Sequence, residues 1–102
     1  MPKGILLVKS QPSPEQLDDY NSWYEDSHIP ELLAVEGFAS ARRLRALEGD
    51  SYVAIYEVDD IDAAKAALAE AQAAGTMTRP SGLKLDPPPS VEWFSLISTA
   101  TA

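Results

Sequence analysis

Apolar positions along the chain fall into short strand-length runs and two helical stripes. Residues 4–8, GILLV, form an apolar run bounded by Lys3 and Lys9. The run is too short for a helix and reads as a strand buried on both faces. Ser13 is placed as an N-cap, Pro14 suits the first helical position, and Gln16 completes a capping box with Ser13. From there Leu17, Tyr20, Tyr24 and His28 recur along one helical face, with Trp23 and Ser27 beside them. Glu15, Asp18, Ser22 and Glu25 form the opposite face, with Asp19 and Asp26 at its edges, so that side meets water. Pro30 disfavours helical geometry at the residue before it. The helix is therefore predicted to break near His28, with Pro30 opening a short second turn through Leu33.

Gly37 closes this helical region. Residues 38–47 read as a second strand, Gly49-Asp50 as a hairpin turn, and residues 51–58, SYVAIYEV, as a third strand. Asp59-Asp60 cap a second helix, alanine-rich, whose packing stripe is Ile61, Ala64, Leu68 and Ala71 and whose C-terminal stop is Gly75. Residues 76–90 carry Pro80, Pro87, Pro88, Pro89 and Gly82 and read as irregular. Such a loop serves either as a lid or partner-contacting arm, or as a plain surface connection. Residues 91–97 form the last strand and 98–102 a mobile tail.

The order β-α-β-β-α-β with right-handed crossovers predicts a ferredoxin-like α+β fold: a four-stranded antiparallel sheet with two helices on one face. Two helices cover only one face. The strands, however, are apolar on both: Ile5 and Leu7 against Leu6 and Val8, and Tyr52, Ala54 and Tyr56 against Val53 and Ile55. A sheet with one wet face alternates cleanly. A second copy of the chain is the economical cover, so a homodimer with sheets packed face to face is expected.

Composition narrows the function classes. At 102 residues, 1–102 reads as a single domain. A net charge of −8 argues against nucleic acid and anionic membrane surfaces. With no cysteine and one histidine, disulfides, thiolate metal sites and the common three-ligand zinc sites are excluded, and no metal is expected. No apolar run spans a membrane and the N-terminus does not read as a signal peptide, so a cytoplasmic location is expected.

The string YNSWYEDSHIPELLAVEGFASARRLRA, followed by YVAIYEVDD, resembles the EthD-like branch of the dimeric α+β barrel superfamily. The matching features are the Tyr-Asn-x-Trp-Tyr helix, His28-Ile29-Pro30, Gly37-Phe38, the Arg42-Arg43 pair and Tyr56-Glu57, over residues 3–60. The resemblance implies a dimer with pockets between each sheet and its own helices. It also implies relatives that range from cofactor-free monooxygenases, cyclases and isomerases to haem enzymes and proteins without an assigned activity.

His28 is the leading catalytic candidate, because a neutral imidazole takes or gives a proton near neutral pH. A histidine that merely caps a helix end is an equally weighted reading. Tyr24 is the second catalytic candidate, as a phenol donor to a developing enolate. Tyr20, Trp23 and Tyr56 are candidate substrate-binding rings, with Tyr56 also a candidate phenol donor to the enolate, although the helical stripe of Tyr20, Trp23 and Tyr24 is more often core packing. Arg43 is a candidate carboxylate holder and Glu57 a candidate polar orienter, each with surface ion pairing as the competing role. The expected function is a small-molecule enzyme without an organic cofactor. It acts on a hydrophobic aromatic, polyketide-like or lactone substrate by His-mediated proton transfer. A non-catalytic binding or accessory protein is the alternative, and a haem-binding version with His28 as axial ligand is a third.

Overall fold

The computed structural model describes residues 3–102. Strands β1 (Gly4–Ser10), β2 (Phe38–Arg45), β3 (Tyr52–Val58) and β4 (Ser90–Ser95) form one antiparallel sheet in the order β2-β3-β1-β4. That order, with helical segments after β1 and after β3, is compatible with the ferredoxin-like arrangement. Strand β2 ends two residues short of the predicted boundary. The ladder closes at the Arg45–Tyr52 pair, Ala46 N–H donates to the Ser51 carbonyl at 3.0 Å, and Leu47 is left in solvent.

The register separates the two faces. Leu6 pairs with Tyr56 and Trp93, Val8 with Ala54, and Ser10 with Tyr52. These side chains face the helices, where Leu6, Ala54, Tyr56, Val58 and Phe38 join Tyr20, Trp23, Tyr24, Leu32, Ile61 and Ala64 in the buried core. Burying each large apolar side chain is worth roughly 1.5–3 kcal/mol. Ile5, Leu7, Val53 and Ile55 have the opposite parity. They are only half-buried, and with Leu44 (49% exposed) and Phe94 (43% exposed) they make an apolar face that no helix among the described residues covers.

The first helical region is a 3-10 turn (Pro14–Gln16), helix α1 (Leu17–Ser22), a π-helical stretch (Trp23–His28) and helix α2 (Ile29–Leu33) in unbroken succession. Three expectations change here. There is no break at His28, whose φ of −66° and ψ of −49° are helical. Pro30 is accommodated instead by widening: Ile29 N–H donates to the Tyr24 carbonyl, five residues back. In a regular α-helix the Pro30 ring would press on the carbonyl four residues earlier, and the wider turn relieves that clash. The capping box also does not form. Ser13 caps through its backbone carbonyl, which accepts from Gln16 N–H at 2.8 Å, while its side chain makes no cap bond. Leu17, finally, is 37% exposed although its stripe partners Tyr20 and Tyr24 are buried.

Helix α3 (Ile61–Ala73) starts as predicted: the Asp60 carboxylate accepts from Ala63 N–H at 3.3 Å. Its Ala64 is fully buried beside Gly37, where an added Cβ would come within 3.2 Å of the alanine methyl. Small residues on both sides allow this close approach. The segment from α3 to β4 is irregular, yet it is tied to the first helical region. Ser13 N–H donates to the Gly82 carbonyl and Lys84 N–H to the Gln11 carbonyl, each at 2.8 Å.

Candidate functional site

The π-helical stretch decides what His28 touches. Trp23 and His28 are five residues apart, a separation that points to different sides of an α-helix but to the same side of a π-turn. Here the imidazole stacks on the indole, with centroids 4.3 Å apart and planes at 22°. The Tyr24 and Tyr56 rings, one from the helical region and one from the sheet, stand nearly perpendicular to the imidazole with centroids 5.3 and 6.4 Å away. Burial lowers the His28 pKa below its ordinary 6.5, an effect that the nearby Glu31 carboxylate only partly offsets. The imidazole is therefore neutral at pH 7.

Tyr56 is fully buried, and its hydroxyl has no hydrogen-bond partner among the described residues. Burial pushes its pKa up, so the phenol stays protonated. An unpartnered buried hydroxyl is uncommon and calls for an explanation. Tyr20 and Tyr24 differ in this respect. The Tyr20 hydroxyl lies 2.6 Å from Ser10 Oγ, itself buried on β1, and the Tyr24 hydroxyl lies 3.5 Å from the same oxygen.

Arg43 reaches this layer from β2. Its guanidinium sits 4.5 Å from the centre of the Tyr24 ring, within the range of cation–π attraction. It donates to Glu25 Oε2 and to Asn21 Oδ1, each at 2.8 Å. The side chain is 15% exposed and each terminal nitrogen makes one of these bonds, so Arg43 acts as a clamp on the first helical region.

A second tie comes from the irregular segment. Glu31 accepts from Thr78 N–H at 2.9 Å and from Thr78 Oγ1 at 2.5 Å, and those two bonds hold its carboxyl pKa below the usual range. The Thr78 carbonyl accepts from Trp23 Nε1 at 3.3 Å. Thr78 thereby fixes the indole on which His28 stacks. Trp23, Ser27 and Thr78 also line a shallow cleft of about 280 Å³.

Among the sequence candidates, His28, Trp23, Tyr24 and Tyr56 come together, and Tyr20 and Arg43 adjoin them through Tyr24. Glu57 does not. It pairs with Ile5 and Ser40 on the far side of the sheet, where it makes an exposed ion pair with Arg42 at 2.8 Å. Ser10, Asn21, Glu25, Glu31 and Thr78 are added by the structure. Strand parity with Leu6 and Val8 was a usable signal for Ser10. Nothing local in the sequence links Glu31 to Thr78.

A family model described as "Domain of unknown function (DUF4286)" matches residues 4–78, most of the chain and all of the aromatic site. The chain belongs to the DUF4286 family. No curated protein matches it. Among solved structures, this DUF4286 chain is similar to Rv0793 from Mycobacterium tuberculosis, at 16% identity and a TM-score of 0.63, over 97% of this chain and 99% of that one. It is also similar to NE2512, a protein of unknown function from Nitrosomonas europaea, at 17% identity and a TM-score of 0.60, over 100% and 96%. At these identities the likeness concerns the fold. Among the described residues no helix of the DUF4286 chain is long and apolar enough to cross a membrane.

Proposed function

We propose that the chain is a cytoplasmic small-molecule enzyme of the EthD-like, dimeric α+β barrel type that needs no organic cofactor. Its substrate is a hydrophobic aromatic, polyketide-like or lactone compound. The observation that carries this reading is a half-buried neutral imidazole, His28, in one aromatic cluster with a fully buried phenol, Tyr56, whose hydroxyl has no partner among the described residues. A substrate carbonyl would supply the missing acceptor. His28 Nδ1 or Nε2 then takes a proton from the carbon next to that carbonyl, and the Tyr56 phenol donates to the resulting enolate oxygen. Returning the proton to another carbon isomerises the substrate; attack by the enolate carbon on a second carbonyl closes a ring, and the proton held by His28 passes to the alkoxide oxygen that forms. Tyr24 is the second phenol within reach of the imidazole.

The test is an NMR titration of the His28 imidazole, the only histidine, against a panel of aromatic and lactone ligands. A ligand of the right class shifts the imidazole signals and its pKa, and His28→Gln abolishes turnover of that ligand. An imidazole that ignores every ligand the protein binds overturns the assignment. Non-catalytic binding is the second reading. It is favoured by the fact that His28 lines none of the concavities of about 430, 240 and 280 Å³. Under that reading ligand affinity survives His28→Gln and no turnover is found.

The assembly proposed with it is a homodimer joined through the uncovered sheet faces. Ile5, Leu7, Val53 and Ile55, flanked by Leu44 and Phe94, supply an apolar surface of the kind that packs sheet on sheet. Sedimentation at twice the chain mass is the expected result. A monomer at micromolar concentration overturns it.

A further inference from the structure

A hollow at the other end of the first helical region shares no lining residue with the His28 cluster. It measures about 430 Å³, within the range of small-molecule sites. Tyr52 and Pro12 floor it, Pro14 and Leu17 line its helical side, and Arg45 and Asp50 stand on the hairpin side. Two of these residues are out of keeping with their surroundings. Leu17 continues the buried stripe of Tyr20 and Tyr24, yet it is 37% exposed and lines the hollow. Arg45 makes no ion pair with any described residue, although acidic residues outnumber basic ones sixteen to eight and Arg42 and Arg43 are both paired.

We infer that this hollow is a binding site for a small monocarboxylate with a flat apolar body. Arg45 receives the carboxylate, for which the guanidinium fork is suited. The apolar body lies between the Tyr52 ring and Leu17 and removes both from water. Pro12 and Pro14 have fixed φ angles, so this wall is ordered before the ligand arrives. Asp50 lines the same hollow and repels a second anionic group, which separates monocarboxylates from dicarboxylates. The inference does not depend on proton transfer at His28, which lies at the far end of a row of rings. That row runs from Tyr52 through Tyr20 and Tyr24, with centroid steps of 5.5, 5.1 and 5.3 Å.

The probe is 2-naphthoate, followed by amide NMR on the full chain, with 2-naphthalenemethanol as the uncharged counterpart and 2,6-naphthalenedicarboxylate as the dianion. Saturable shifts are expected at Leu17, Ala46 and Tyr52. The affinity should fall about tenfold or more in Arg45→Met, and by a similar factor for the alcohol, as loss of a charge-assisted hydrogen bond requires. Leu17→Ser weakens binding from the other wall, and the dianion binds more weakly than naphthoate. Naphthoate affinity unchanged in both Arg45→Met and Leu17→Ser overturns the site. So do shifts that centre on Trp23 and His28, or the absence of saturable shifts in the wild-type chain.

Discussion

At the scale of single residues, His28 and Tyr56 carry the sharpest consequences. The folded-state pKa of His28 is lowered, so the unfolded chain binds a proton more readily than the native one. Stability contributed by the neutral imidazole is therefore complete above the ordinary 6.5 and declines as pH falls from there toward the native pKa. Thermal unfolding between about pH 7.5 and pH 5.5 should show this decline in the wild type, and His28→Gln should flatten it. Glu31 titrates below its usual 4.5 and enters only under more acidic conditions. The same slope in the variant would remove His28 from the explanation. For Tyr56→Phe the direction is unusual for a core substitution. Deleting an unpartnered buried hydroxyl relieves its desolvation, so the ligand-free protein should gain up to about 1 kcal/mol in chemical denaturation. A loss of that size would reveal a partner for the hydroxyl, such as a bound water. The sequence made the Tyr20, Tyr24, His28 stripe legible because i,i+4 spacing is written along the chain. Alternation along β2 also puts Arg43 and Arg42 on opposite faces of the sheet. The Trp23–His28 stack was not legible, because five-residue spacing acquires meaning only once Pro30 has widened the turn. Glu57, two residues beyond Ile55 on the same face, carried its own warning of an outward position.

At the scale of elements, two helix starts look alike in sequence and differ in structure. Asp60→Ala removes a side-chain cap and should cost about 1 kcal/mol, whereas Ser13→Ala removes a side chain that makes no cap bond and should change stability little. Comparing the two in one denaturant series tests the distinction. The irregular segment makes a stronger case. Gly82 has φ of +71°, and a Cβ there would lie 2.6 Å from the Gln16 carbonyl oxygen and 2.9 Å from Tyr20 N. Gly82→Ala should therefore destabilise by more than about 1 kcal/mol and speed proteolysis of residues 76–90. A variant as stable and resistant as the wild type would show that the segment rides loosely over the helix. Proline and glycine content marked the segment as irregular. Its attachment was hidden, since backbone pairing of Gly82 and Lys84 with Ser13 and Gln11 requires no particular side chains.

At the scale of the whole molecule, element order fixed most of the architecture. Short apolar runs, two helical stripes and right-handed crossovers leave few topologies for a chain of this length, and the observed strand order is the one they favour. The uncovered apolar face was likewise visible as strands without clean alternation. Ile55→Asp places a charge at the centre of that face, since Ile55 pairs with Leu7 on one side and Arg42 on the other. In the proposed dimer this substitution should yield monomers in sedimentation while the isolated sheet keeps its circular dichroism. Unchanged sedimentation would place the contact elsewhere. One further consequence comes from the ladder between β1 and β4, which pairs Gly4 with Ser95. The strand made first waits for the strand made last. On the ribosome, β1, β2 and β3 can assemble with one edge of β1 still unpaired, and such an edge invites pairing with other chains. The same long-range closure slows folding relative to a fold built on local contacts. The period of greatest exposure to aggregation thus lies between the emergence of β3 and the arrival of β4.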